Sequence, residues 1–226
     1  MKNYFTKFEI TTWTLSVIVI TLFYLLFGGN GALTLIASLI GVTSLVFSAK
    51  GNPIAQALMI VFSIMYGIIS YSFRYYGEMA TYLGMTLPMS VFSLISWLKN
   101  PYKSEKAQVK VDRLRRGEWA FMALLCLAVT AVFYFILKYF DTPNLLPSTI
   151  SVTTSFAAAY LTFRRNPCFP LAYAANDVVL ILMWILASVK DLSYLSVIIC
   201  FVVFLVFDLY GFFSWCRMEK KQKCDI

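Results

Sequence analysis

Apolar residues run along this chain in long blocks separated by short polar stretches, with neither strand-like alternation nor coiled-coil heptads. A helix needs about 20 mostly apolar residues to cross a ~30 Å hydrocarbon core. Blocks approaching that length occupy residues 10–27, 31–48, 54–72, 79–98, 119–138, 147–163, 169–188 and 192–215. Without water to satisfy the backbone, spanning segments must be helices or closed barrels, and without alternation the pattern predicts helices. The expected class is an all-α membrane protein with about eight transmembrane helices. Lys2 and Lys7 before the first block imitate a signal peptide. No small-x-small cleavage site follows, and Gly28-Gly29-Asn30-Gly31 predicts a tight turn into the second block.

The polar breaks organise the chain into two similar halves. Every break is short except residues 99–118, which are polar and basic. Gly51-Asn52-Pro53 and Arg165-Asn166-Pro167 are 114 residues apart, each joining two apolar blocks. Ser96-Trp97 and Ser214-Trp215 are 118 residues apart, each closing a block at the same membrane face. Matches on the same face imply a parallel repeat. A three-helix unit ends opposite to where it began, so two parallel units need one more crossing between them. The expected division is residues 1–30 as an extra N-terminal helix, 31–98 as a first three-helix bundle and 99–118 as a basic cytoplasmic loop. Residues 119–140 follow as a linker helix, 147–216 as a second three-helix bundle and 217–226 as a cytoplasmic tail.

Composition agrees with the pattern: 60% of the 226 residues are hydrophobic and 13% charged, about half the charged share of an ordinary soluble domain. The net charge of +8 has a topological reading. With both termini inside the cell, all but Arg74, Lys138 and Lys190 of the 19 Lys and Arg residues fall on the cytoplasmic side. That accounts for the basic run at 99–116 without a nucleic-acid partner. The expected location is the cell membrane, with the lipid bilayer as surroundings and both termini cytoplasmic. The same topology puts no cysteine outside, so no disulfide is expected.

The chain has no His, no Cys pair at metal-ligand spacing, no phosphate-binding Gly loop and no nucleophile constellation. The expectation is a non-enzyme with no catalytic residue, no metal and no cofactor. Its sharpest chemistry is a pair of carboxylates within apolar blocks, Asp177 and Asp208, since a charged side chain at mid-bilayer costs about 2.5–3.5 kcal/mol on insertion scales. Asp177 lies about 12 Å along its helix from residue 169, near the midplane, and Asp208 about 10 Å before residue 215, near the inner edge. At that edge Asp208 also has a plain reading, pairing with Arg217 or water.

Helical spacing puts Tyr173, Asp177 and Trp184 on one face, with Asn176 beside them. Gln56, Ser63, Tyr66 and Ser70 form the matching face in the first half, and the 114-residue offset sets Ser63 against Asp177. These residues are the candidate substrate site, between the repeats. The plain alternative for Ser63 and Ser70 is a hydrogen bond to their own helix backbone. Trp13, Trp97, Trp119 and Trp215 sit at inner block ends and are expected as interfacial belt residues. Carboxylates without intramembrane Lys or Arg would leave a phosphate unpaired. The expected solute is a neutral or cationic small molecule, and aromatic rings beside Asp177 suit a flat cationic ring.

Several segments carry a family resemblance: Ser70-Tyr71-Ser72-Phe73-Arg74-Tyr75-Tyr76-Gly77-Glu78-Met79, Tyr82-Leu83-Gly84-Met85-Thr86-Leu87-Pro88-Met89, Ala175-Asn176-Asp177-Val178-Val179-Leu180 and Tyr210-Gly211-Phe212-Phe213-Ser214-Trp215. With these the chain resembles the PnuC family of nicotinamide riboside transporters, often described as nicotinamide mononucleotide transporters, over nearly its whole length. The resemblance implies a fold like the SWEET sugar transporters, a homotrimer, and facilitated diffusion with the solute trapped inside by phosphorylation. Nicotinamide riboside is a pyridinium cation, which agrees with Asp177. Better-known members carry Trp-x-x-Trp-x-x-x-Asn here. Aligned on Asp177, that motif puts Pro170 and Tyr173 at its Trp positions. Related transporters carry thiamine or riboflavin, and thiamine satisfies the same charge argument. Two other readings stay open: a membrane scaffold or sensor subunit whose polar face only packs helices, and a proton-coupled carrier using Asp177 or Asp208.

Overall fold

The computed structural model describes residues 4–26, 31–72, 76–103, 105–142, 144–189 and 195–225. Helices α1 (Lys7–Leu26), α2 (Ala32–Ala49) and α3 (Ile54–Ser72) lead to α4 (Tyr76–Thr81), a π-helical turn (Tyr82–Thr86) and α5 (Leu87–Lys99). Then come strands β1 (Pro101–Tyr102) and β2 (Glu105–Val109), followed by α6 (Arg116–Tyr139), α7 (Leu145–Phe163), α8 (Phe169–Ser188) and α9 (Leu195–Cys224). The tight turn at residues 28–30, Arg74 and Lys190 lie outside the described residues.

The expected all-α membrane architecture is present. Among the described residues, seven helical segments are long and apolar enough to cross a membrane, α4 to α5 counting as one segment of 24 residues. The segment expected at 147–163 forms α7 but is not among the seven. Hydroxyl residues dilute it, and they are satisfied within the protein: Thr153 shares a 2.7 Å hydrogen bond with Thr130 of α6, and Thr149 donates to the Leu145 carbonyl. Large apolar side chains such as Leu124, Leu127 and Phe135 of α6 face outward, while many serines are buried, an inside-out pattern suited to lipid surroundings.

Two junctions are built alike. The helix before each ends with an αR cap, Lys50 or Arg164. Gly51 and Arg165 then take positive φ, 65° and 56°. The next backbone N–H, of Asn52 or Asn166, donates back to Phe47 or Leu161. Each Asn side chain then accepts from the backbone two residues on, Ile54 N–H at 2.9 Å and Cys168 N–H at 3.0 Å, so that α3 and α8 start from the same cap. The far ends of the two halves interlock reciprocally. Trp97 Nε1 donates to the Thr162 carbonyl at 2.9 Å and Trp215 Nε1 to that of Ser48 at 2.8 Å. Ser96 and Ser214 donate to the carbonyls of Phe163 and Ala49.

This corrects the expectation that all four tryptophans are belt residues. Trp97 and Trp215 are fully buried, their rings 5.5 Å apart and tilted by 50°, and packed on Phe169. Buried indole N–H groups require acceptors, and the helix-end carbonyls of the other half provide them. Trp13 and Trp119, 37% and 41% exposed, keep the outward position.

The basic segment is not a loose loop. β1 and β2 form an antiparallel hairpin, which the polar composition gave no reason to expect. Val109 N–H donates to Gly51 O, and Gln222 of α9 takes Val109 O and Val111 N–H as partners. Arg113 pairs with Glu219. Thus the segment straps across the ends of both halves.

Helix α1 packs on α2 and α9. Glu9, 2% exposed, caps α1 through Thr6. It also pairs with Lys50 at 2.9 Å and accepts from Tyr210 Oη at 2.7 Å. Its partners offset the cost of burying a carboxylate.

Candidate functional site

The helices enclose a cavity of about 1230 Å³ not filled by atoms, counting its open part. It lies where α2, α3, the α4–α5 segment, α7, α8 and α9 meet. Close packing brings the walls together: a Cβ on Gly41 of α2 would come within 2.6 Å of Phe204 Cζ of α9. Pro88 lacks the N–H that a regular helix would offer at that position. The ladder slips there, and Leu87 N–H donates to Tyr82 O, five residues back. The resulting π turn sets Tyr82 and Thr86 on the cavity wall.

Helix α8 supplies Tyr173, Asn176, Asp177 and Trp184 to the wall, all four as the helical face requires. Asn176 Oδ1 is held by two hydroxyls of α7, Thr154 at 2.8 Å and Ser151 at 3.2 Å. From α3 come Gln56 and Tyr66, with Phe62 and Met59. Tyr66 meets Tyr82 at 4.6 Å between ring centroids and Phe62 at 5.2 Å, forming an aromatic wall opposite α8.

Ser63 does not join them. Its hydroxyl donates to the Met59 carbonyl of its own helix at 2.7 Å, and it is absent from the cavity lining. Ser63 thus makes the hydrogen bond of the plain reading, and the helix turn carries Met59 and Phe62 to the cavity. Ser70 is buried without a hydrogen-bond partner and likewise does not line the cavity.

Asp208 sits two helical turns before Trp215 on α9, which runs on to Cys224 against the basic strap. It lines the cavity, 5% exposed, and its carboxyl group lies against that of Asp177, itself 4% exposed. Two carboxyl groups in such contact need at least one proton between them. Neither pairs with Arg217. Asp177 Oδ2 is buried without a partner.

Glu78 is a third carboxylate on the cavity wall. It directly precedes the apolar block at 79–98. The helix starts earlier, at Tyr76, and a search for acidic residues within one helical turn of a span would have found it. Among the lining residues there is no Lys or Arg. The cavity is thus lined by carboxyl and aromatic groups, and it can hold a flat cation by charge, ring stacking and hydrogen bonding.

Comparison with known proteins agrees with this architecture. The family described as nicotinamide mononucleotide transporter matches residues 31–217, which omits α1. A nicotinamide riboside transporter PnuC of Neisseria mucosa is 24% identical over 221 residues, covering 96% of this chain and 84% of its own. The crystal structure of the vitamin B3 transporter PnuC aligns with a TM-score of 0.82 at 21% identity, over 96% of this chain and 94% of that chain. At that identity the likeness shows a shared fold.

Proposed function

The chain belongs to the nicotinamide mononucleotide transporter family, and from this premise we propose that it carries the nucleoside nicotinamide riboside across the cell membrane. The observation that carries the choice of solute is the cavity wall, which has Glu78, Asp177 and Asp208 but no Lys or Arg. The phosphate of the mononucleotide would enter a poorly solvated site without a cationic partner. The riboside brings a single positive ring instead. Asp177 is its counter-ion, Tyr173 and Trp184 lie beside the ring, and Tyr66 forms the opposite wall. Gln56 and Asn176 supply amide groups for the ribose hydroxyls. Asp208 holds Asp177 in place. Ser63 belongs to the helix backbone and has no solute contact in this reading.

The two halves act as three-helix bundles moving about the cavity, as in SWEET-like carriers, with α6 as linker and α1 as an addition. Both termini and the basic strap face the cytoplasm, where Lys and Arg are concentrated. Transport runs down the gradient of the solute, and phosphorylation inside keeps that gradient. The unit in the membrane is a homotrimer, by family likeness.

The test is a binding and uptake screen with the purified protein in vesicles, using nicotinamide riboside, nicotinamide mononucleotide, thiamine and riboflavin. The riboside should bind and enter, with the mononucleotide at least tenfold weaker. Equal affinity for the mononucleotide would contradict the charge argument. Preference for thiamine would keep the cation site and change the solute. Failure to move any solute would favour the scaffold or sensor reading.

A further inference from the structure

The cavity has a closed floor on the side read above as cytoplasmic. Phe169 lines the cavity, and Trp97 and Trp215 lie against it with no exposed surface. We propose that residues 109–113 of the basic strap are the latch of this inner gate, with Arg165 as its catch, and that they let go when solute leaves toward the cytoplasm. The inference rests on the carrier function and orientation proposed above.

The two halves meet beneath the cavity along two seams. In one, Ser96 and Trp97 of α5 donate to the end of α7. In the other, Ser214 and Trp215 of α9 donate to the end of α2. The strap crosses both. Val109 N–H donates to Gly51 O and Lys110 N–H to Asn100 O, each at 2.9 Å, and Asp112 N–H donates to Arg165 O at 3.1 Å. From α9, Gln222 holds Val109 and Val111, and the buried Glu219 accepts from Arg113 Nη2 at 2.9 Å. Parting the two bundles along these seams must break such bonds, because one segment is tied to both sides.

Arg165 marks the closed state as one held in place. Its counterpart in the first half is Gly51, and both take positive φ, where any side chain is strained. Glycine would serve the turn alone, and strain of this kind persists only where the surroundings hold it. The Arg165 guanidinium, 14% exposed, donates to Ser96 Oγ at 2.7 Å, to Lys110 O at 3.1 Å and to Asp112 at 3.4 Å. It therefore ties its own half to α5 of the other half and to the strap. Hydrogen bonds at an aqueous edge exchange for bonds to water at modest net cost, which suits contacts that must break and re-form in each cycle.

The chain carries its own reporters. Cys168 and Cys216 are half-buried and flank Phe169 and Trp215, while Cys126 and Cys200 are buried within spanning helices. The test is maleimide labelling of the full chain in lipid nanodiscs, read residue by residue by mass spectrometry, for the unaltered protein, Arg165→Gly and Gln222→Ala. Arg165→Gly keeps the turn, since glycine favours that φ. Cys168 and Cys216 should react several-fold faster in both variants, with Cys126 and Cys200 unchanged. In vesicles, initial uptake of labelled nicotinamide riboside should rise several-fold in Arg165→Gly, while its equilibrium affinity stays within about twofold. Unchanged labelling in either variant would overturn the latch. Equal acceleration at all four cysteines would overturn it too, as a general loosening of the fold. Faster labelling with unchanged or slower uptake would place the seam off the solute path and overturn the gate. No uptake by the unaltered protein would instead overturn the carrier reading, and the gate with it.

Discussion

Asn52 and Asn166 start α3 and α8 with the same cap, and eleven residues further on each helix reaches its middle, at Ser63 and at Asp177. Ser63 turns back onto its own backbone, while Asp177 faces the cavity and meets Asp208. The two helices share their ends because those ends are solved by backbone chemistry: a left-handed residue, an Asn acceptor and an indole N–H on the partner half. They differ in the middle because the cavity takes charge from one side and aromatic surface from the other. The junctions also show how far a shared geometry tolerates sequence. Gly51 takes positive φ without penalty, whereas a side chain there costs about 1–2 kcal/mol. Arg165 occupies that conformation, and its guanidinium bonds Ser96 Oγ, the Lys110 carbonyl and Asp112.

The largest effect should come from the charged side of the comparison. Asp177→Asn keeps the shape and removes the counter-ion. Loss of one partner of a desolvated charge pair costs about 2–5 kcal/mol. Calorimetric binding of nicotinamide riboside should weaken at least tenfold, while expression and membrane insertion stay unchanged.

Next come the shared ends. Trp97→Phe and Trp215→Phe each leave a helix-end carbonyl without its indole donor, at about 1–3 kcal/mol. Thermal unfolding in detergent should drop by similar amounts for both. A large drop for one and none for the other would mean that the two halves do not interlock as equals.

Asp208→Asn should act less on affinity than Asp177→Asn, because Asn still donates a hydrogen bond to Asp177. A loss as large as that of Asp177→Asn would make the carboxyl pair, not Asp177 alone, the counter-ion. Ser63→Ala should leave riboside affinity unchanged, within about 0.5 kcal/mol, the usual range away from special contacts. A tenfold loss would return Ser63 to the solute site.

Much of this was legible in the sequence where the signal is local. Caps such as Asn52 and Asn166 show themselves in three residues, and the apolar blocks fixed seven of the spanning segments by length alone. The α8 face was legible for the same reason, since Tyr173, Asn176, Asp177 and Trp184 follow from helical spacing. What failed depended on where a helix ends or what it meets. Trp97 and Trp215 looked interfacial because sequence position does not reveal a partner half. Glu78 escapes a search of apolar blocks because α4 begins before its block does. The hairpin at residues 101–109 leaves little trace in composition, being held by Gly51, Gln222 and other distant groups.

The central claim is that a carboxylate in the cavity pairs with a positive ring. It is tested most directly by titrating the unaltered protein with nicotinamide riboside and with its reduced form, which has nearly the same shape and no ring charge. The oxidised, cationic riboside should bind at least tenfold tighter, by the ~2 kcal/mol or more that such a buried pair carries. Equal affinity for the two forms would contradict it.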